Sequence, residues 1–358
     1  MPHSIACYRR FFIFLLFVLF AFQSYSQKDK IDTWLEQQMQ QQKIVGLTIG
    51  IVKNGKLYKT KSYGMANLEQ NLPAGNETVY KLASVSKQMV AAGTMLLIQE
   101  GKLRLTDPMT RYFKDAPEAW NGITIRHLLN HTSGLQRESP AFDGNTIQSD
   151  SVLIRAAYKD TMLFATGSKW VYCNLGYFML ADIIRQLSGK SFTSYMQQLV
   201  FDKYGLTSTQ PTSTRKIVPH RAGGYERRGG DTILNAEEIT AFRPSGAFIS
   251  NIGDMLKWEM MMQQSQLLTK QNWQKLWSDT VFTGAKRPDG TKVYYGYGWN
   301  VSKYQNRNVV FHAGSLPGFR SAFYRFPDEN TAIIILTNSE PVNINPLALG
   351  VADILFEK

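Results

Sequence analysis

Cysteine is almost missing from this 358-residue chain, with only Cys7 and Cys173 present. Cys7 lies in a segment that reads as a processing signal, so the mature chain keeps one thiol. No intramolecular disulfide can then form, and a structural zinc cluster built on Cys and His is excluded by count. Long apolar runs are also scarce. The run Phe11–Phe22 follows Arg9 and Arg10 and precedes the small residues Ser24-Tyr25-Ser26. It is shorter than the ~20 residues a bilayer-spanning helix needs, and no cysteine follows it to carry a lipid. It predicts a cleaved signal peptide over 1–26, a secreted, periplasmic protein, and no stable membrane span after cleavage. No basic run is interleaved with aromatics, which argues against a nucleic-acid partner. Gly-x-Ser-x-Gly and His-Glu-x-x-His do not occur, so neither an α/β-hydrolase elbow nor a zinc-peptidase helix is supported. Ser188-Gly189-Lys190-Ser191 lacks the upstream glycine of a phosphate loop, because Ile184 stands there; it reads as a helix end.

What is present is basic and large enough for two lobes. Cleavage after Ser26 removes two arginines and no acid, so the net charge falls from +12 to +10 over 332 residues. Such a protein is drawn to anionic envelope polymers and phospholipid surfaces.

Ser84 and Lys87 open a segment, Val85 to Ile98, that is apolar almost all round. A helix of that kind is buried, and the spacing sets the two side chains one turn apart on one face. Burial disfavours a charged amine, which turns Lys87 toward a neutral base able to take a proton from Ser84. A chain of this size contains roughly one Ser-x-x-Lys by chance. Ser213-Thr214-Arg215-Lys216 also matches, but it lies in a polar, proline-bearing stretch and reads as a loop.

Along the chain, Lys30 to Lys43 has the helical period, and Val45–Val52 and Lys56–Lys61 flank Asn54-Gly55 as a hairpin. An extended piece, Val79–Leu82, runs into Ser84. After Asp107-Pro108 helices dominate, clearest at 150–158, 175–187, 192–200 and 254–263. Met260-Met261-Met262 reads as core filling. Strands return at 294–302, 308–312, 319–326 and 331–337, and a helix closes the chain at 346–356. The prediction is an α+β fold: an antiparallel sheet built from both chain ends and flanked by helices, with a mostly helical lobe inserted. The sheet lobe takes 27–105 and 285–358, and the helical lobe 106–284.

Three short motifs fall in order: Ser84-x-x-Lys87 at a helix start, Tyr172-Cys173-Asn174 before a helix of the inserted lobe, and His312-Ala313-Gly314 on a C-terminal strand. Tyr304-Gln305-Asn306 fits the second pattern by accident. With the block Ile123–Leu135, the stretch Tyr172–Gly189 and the string Tyr295-Gly296-Tyr297-Gly298-Trp299, the chain from about 30 to 357 resembles the serine β-lactamase and penicillin-binding superfamily. Within it, the class C-related branch of D-alanyl-D-alanine carboxypeptidases and esterases is the one it looks like. The resemblance implies a β-lactamase/transpeptidase-like fold and no cofactor or metal. It implies Ser84 as nucleophile, Lys87 as its base and Tyr172 as acid and base in turn. Asn174, His312, Gly314 and Ser315 would bind substrate, with the backbone N–H groups of Ser84 and Ser315 as oxyanion hole and the slim strand edge at Ala313-Gly314 holding substrate as an added strand.

Two departures matter. Cys173 replaces the serine common between Tyr and Asn, with its side chain expected to point away from the cleft. His312 stands where typical class C β-lactamases have lysine; a histidine facing the cleft and only partly protonated would bind a carboxylate less firmly, which favours peptidase or esterase over β-lactamase. His127 and His131 read as structural. The implied function is an exported serine hydrolase acting through an acyl-enzyme on a small-molecule or peptide substrate, a D-alanyl peptide from peptidoglycan or a carboxylic ester. The alternatives are a penicillin-binding sensor that is acylated but turns over slowly, and a true class C-like β-lactamase.

Overall fold

The computed structural model describes residues 29–357, except 139–141, 144, 145, 147, 148, 214, 239–243 and 247. The expected signal peptide lies outside the described residues. Helix α1 (Lys30–Gln42) leads into β1 (Gly46–Lys53), β2 (Lys56–Asn67) and the short β3 (Leu72–Pro73). Asn54 and Gly55 both have positive φ, 52° and 74°, which is what a tight two-residue hairpin turn requires. Next come β4 (Tyr80–Lys81), a 3₁₀ turn (Ala83–Val85) and α2 (Ser86–Gln99). The middle of the chain supplies α3 (Ile125–Leu129), α4 (Asp150–Ala156), α5 (Asn174–Ser188) and α6 (Phe192–Tyr195), the last running on as a π-helical turn over Met196–Phe201. Four short strands follow, β5 (Gln210–Pro211), β6 (Tyr225–Arg227), β7 (Ile233–Asn235) and β8 (Phe248–Ser250), then α7 (Ile252–Gln263) and α8 (Lys270–Ser278). The C-terminal part is β9 (Val281–Lys286), β10 (Lys292–Tyr295), β11 (Asn300–Tyr304), β12 (Arg307–Leu316), β13 (Phe319–Phe326), β14 (Thr331–Thr337), β15 (Ser339–Glu340) and α9 (Ile344–Phe356).

One nine-stranded sheet joins the two chain ends in the order β3-β2-β1-β14-β13-β12-β11-β10-β9, and its neighbours pair antiparallel. Both faces of its centre are covered, so β1 and β14 are buried along nearly their whole length and read as continuous apolar runs. The two-residue period still sorts them. Leu47, Ile49, Ile51, Ile333 and Ile335 pack with Leu35 of α1 and Leu347 and Val351 of α9. Val52, Ala332, Ile334 and Leu336 join α7 and the helical core on the other face. No helix among the described residues is long and apolar enough to cross a membrane.

The extended piece Val79–Leu82 supplies β4, which belongs to a separate small sheet, β4-β8-β5. Two elements differ from the sequence reading. The expected strand 294–302 is two strands, β10 and β11, interrupted at Gly296–Trp299. At Gly298, φ is +77° and an added Cβ would come within 2.8 Å of the Gln88 backbone N and of the Lys87 carbonyl oxygen. The break is where the sheet touches the first turn of α2, backbone against backbone. β12 runs on past His312 to Leu316, four residues beyond the expected strand. The accidental Tyr304-Gln305-Asn306 match ends β11 and turns the chain, with Gln305 and Asn306 both at positive φ.

Candidate active site

Ser84 sits on the 3₁₀ turn just before α2, not inside the α-helix, and Ala83 before it has φ +50°. A non-glycine residue in this region costs on the order of 1 kcal/mol and needs surroundings that enforce it. The surroundings are present. Leu82 N–H donates to Phe248 O at 2.9 Å, and Ser321 Oγ donates to Leu82 O at 2.6 Å. Gly314 of β12 lets the strand lie against the turn; a Cβ there would fall 2.3 Å from Leu82 O and 3.0 Å from Ala83 Cβ.

Lys87 lies in the first turn of α2 with its side chain wholly buried. Its Nζ is 3.2 Å from Ser84 Oγ and donates to the Ser245 carbonyl at 2.8 Å. Burial, seconded by the charge of Arg137, holds the amine well below the ordinary lysine range. The walls that exclude water are aromatic: Nζ stands 4.8 Å from the Tyr172 ring centre and 5.4 Å from that of Tyr177. Tyr172 is itself pushed above the usual phenol range by burial, against which the Ser84 hydroxyl and Arg137 pull weakly. The resting site therefore pairs an amine whose charged form burial disfavours with a protonated phenol around one serine oxygen. Those are the shifts a base for nucleophilic attack and an acid for leaving-group departure require.

Cys173 caps α5: its thiol accepts from Gly176 N–H at 3.4 Å and donates to Gln136 O at 3.2 Å. It points into the protein, and burial pushes it up to about 11. Asn174 Nδ2 donates to Glu138 Oε1 at 2.7 Å, and its Oδ1 is buried with no partner among the described residues. Asn174 thus offers an acceptor. Ser84, Asn174 and Ser315 line a cleft of about 220 Å³ together with Arg137, Glu138 and Ser245. Beyond the β11 pairing, which ends at Phe311, the stretch from His312 to Leu316 keeps only its β13 neighbour.

His312 departs from expectation. It is 3% exposed and stands behind the cleft, its Nε2 3.1 Å from Tyr295 OH and its Nδ1 2.7 Å from Ala313 O. Burial takes its pKa down to about 3, so it is neutral, and both ring nitrogens are engaged. His312→Lys is therefore expected to bury an ammonium, leave Tyr295 without its acceptor and cost on the order of 2–3 kcal/mol. A thermal melt checks this. A melting temperature at or above that of the wild type would mean that the lysine reaches water in the cleft, as the sequence reading required.

His127 caps α3, its Nδ1 3.2 Å from Thr124 N, as a structural residue would. His131 is closer to the chemistry than its structural reading implied. Its Nδ1 accepts from Cys173 N–H at 3.1 Å, and its ring lies 4.4 Å from that of Tyr172. The second Ser-x-x-Lys is a local turn, Ser213 Oγ accepting from Arg215 and Lys216 N–H at 3.2 Å; Thr214 lies outside the described residues. Sequence reasoning missed Ser245, Arg137 and Glu138, which carry no motif. The aromatic residues Tyr177 and Tyr295 lay in quoted stretches but had been given no role.

Residues 31–352 match the Beta-lactamase family. The chain belongs to the beta-lactamase family. It is 28% identical to Protein flp of Staphylococcus aureus (strain COL) over 322 residues, covering 87% of this chain and 63% of that protein's length. It is 26% identical to Penicillin-binding protein 4* of Bacillus subtilis (strain 168), covering 82% of this chain and 68% of that one. Among solved structures, the octameric penicillin-binding protein homologue from Pyrococcus abyssi superposes with a TM-score of 0.80 at 24% identity, over 91% of this chain and 76% of that one. D-amino acid amidase from Ochrobactrum anthropi SV3 superposes at 0.80 and 20% identity, over 91% and 99%. These two likenesses establish the β-lactamase/penicillin-binding fold, and family membership makes the chain a beta-lactamase-like member of the serine hydrolases.

Proposed function

We propose that the protein is an exported serine hydrolase that cleaves a D-alanyl peptide or a carboxylic ester through an acyl-enzyme. The observation that carries this reading is the wholly buried Lys87 amine 3.2 Å from Ser84 Oγ, its pKa lowered by burial, with Tyr172 alongside. Ser84 Oγ bonds to the substrate carbonyl carbon while Lys87 takes the hydroxyl proton. Oxygen charge develops toward the Ser84 and Ser315 N–H groups. Tyr172 gives its proton to the departing nitrogen or oxygen as the scissile bond breaks, and is reprotonated from Lys87. Water then attacks the acyl carbon, giving one proton back to the Ser84 oxygen, and releases the acid. The free side of β12 beyond Phe311 offers backbone groups against which an extended substrate can lie.

The names of the similar proteins, a penicillin-binding protein and a D-amino acid amidase, favour amides of D-amino acids as substrates. The absence of charge on His312 favours a peptidase or esterase over a β-lactamase, and Arg9, Arg10 and the apolar run Phe11–Phe22 favour export to the periplasm. Turnover of aryl esters, D-alanyl peptides and nitrocefin by wild type and Ser84→Ala tests the reading. Ester or peptide hydrolysis is expected, falling at least ~1,000-fold in the variant. Equal rates in the two would overturn it. A lasting β-lactam adduct on Ser84 without turnover, seen by intact-protein mass spectrometry, would point instead to a sensor.

A further inference from the structure

His312 has no charge and no free ring nitrogen, so the third motif cannot hold a substrate anion. Two side chains with a permanent charge line the cleft on its cationic side, Lys81 and Arg137. Lys81 is buried, and its Nζ is committed to Glu238 Oε2 at 2.9 Å. Arg137 is differently held. Its carbonyl accepts from Asn174 N–H at 2.7 Å and Leu175 N–H at 3.1 Å, which pins its backbone to the start of α5. Its side chain is 65% exposed and stands with the guanidinium 5.4 Å from the centre of the Tyr172 ring. The nearest carboxylate, Glu138, is 3.8 Å from Nε, too far for a hydrogen bond, and its Oε1 already accepts from Asn174. An exposed pair of this kind contributes roughly 1 kcal/mol or less, so a substrate carboxylate that meets the guanidinium fork through two hydrogen bonds can displace it.

Resting on the acyl-enzyme reading above, we propose that Arg137 is the anion-binding residue of the cleft and selects substrates whose leaving group carries a carboxylate. The side follows from Tyr172. The phenol that protonates the leaving atom lies under the guanidinium, so a group held by Arg137 belongs beyond the scissile bond, on the departing half. Docking an anion there also screens the positive charge that depresses Lys87, which makes the amine a better base when the favoured substrate is bound.

The test uses two acetyl esters that differ only in that group, 3-acetoxybenzoate and 3-acetoxybenzamide. In Arg137→Gln the ratio of kcat/KM, carboxylate ester over amide ester, is expected to fall by about 10-fold or more, mainly through KM of the carboxylate ester. Arg137→Lys should recover part of the ratio, and Arg137→Glu should lower it further. Arg137→Gln should also move the acid limb of the pH profile upward, because Lys87 loses a cationic neighbour. A ratio within twofold of wild type in Arg137→Gln, including an equal fall for both esters, overturns the proposal. Ser84→Ala is run in parallel. Undiminished cleavage in that variant overturns the acyl-enzyme reading and this inference with it, and no cleavage of either ester by the wild type overturns this inference. A dead Ser84→Ala beside an unchanged ratio overturns only the role of Arg137.

Discussion

Lys87→Met should lower kcat/KM at pH 7 by ~1,000-fold or more, because it removes the base that takes the Ser84 proton, and general acid–base groups contribute roughly 10²–10⁴. The wild-type profile should fall on the acid side as the amine protonates, with an apparent pKa well below the ordinary lysine value of 10.5. Residual activity in the methionine variant should lack that limb. The same group acts on stability. Its pKa is lowered in the folded state, so between the folded value and the unfolded value near ~10.4 the unfolded chain binds a proton that the native state does not. Its contribution to stability is complete above the unfolded value and declines as pH falls toward the folded one. Wild-type stability should therefore gain more from pH 7 to pH 9.5 than that of Lys87→Met, as read by urea unfolding at each pH. Identical pH slopes in the two proteins would mean that the lysine stays charged in its pocket.

Gly298→Ala should both destabilise the protein and disturb the site. The residue has φ +77°, and the new Cβ would meet helix backbone, Gln88 N and Cα and Lys87 O, each at 2.8 Å. Backbone in the first turn of α2 cannot yield without moving Lys87. The strain of φ costs on the order of 1 kcal/mol and the overlap 1–3 more. Together these should lower the melting temperature by roughly 4–16 °C at ~2–4 °C per kcal/mol, with a drop in kcat. Gly284→Ala is the matched control, since its φ is +83° and a Cβ would meet nothing within 4 Å. If the two variants melt together, strain alone is at work and the contact with α2 carries no weight.

The contrast between Gly298 and Ser84 shows how legibility is distributed. That Ser84, Lys87 and Tyr172 come together could be expected from the order of the motifs that hold them, and the apolar run after Ser84 already says that Lys87 is buried. The helices, the Asn54-Gly55 hairpin and β14 could be read for the same reason: their periods and turn residues are local properties of the chain. The interruption at Gly296–Trp299 could not. Aromatic residues at 294–299 favour a strand, and what breaks it is the approach of α2, more than 200 residues earlier in the sequence.

The amino-acid order by itself determined an α+β chain whose two ends share one antiparallel sheet, and the serine, lysine and tyrosine that meet in its cleft. Only the tertiary structure decided their charge states and their neighbours. Burial lowers the pKa of Lys87 and of His312, and burial depends on which distant segments pack around a group. Ser245, Arg137 and Glu138 come to the site through loops whose sequence carries no periodic or motif signal. The histidine that the sequence placed in the cleft lies behind it, and an exposed arginine, Arg137, stands beside Tyr172.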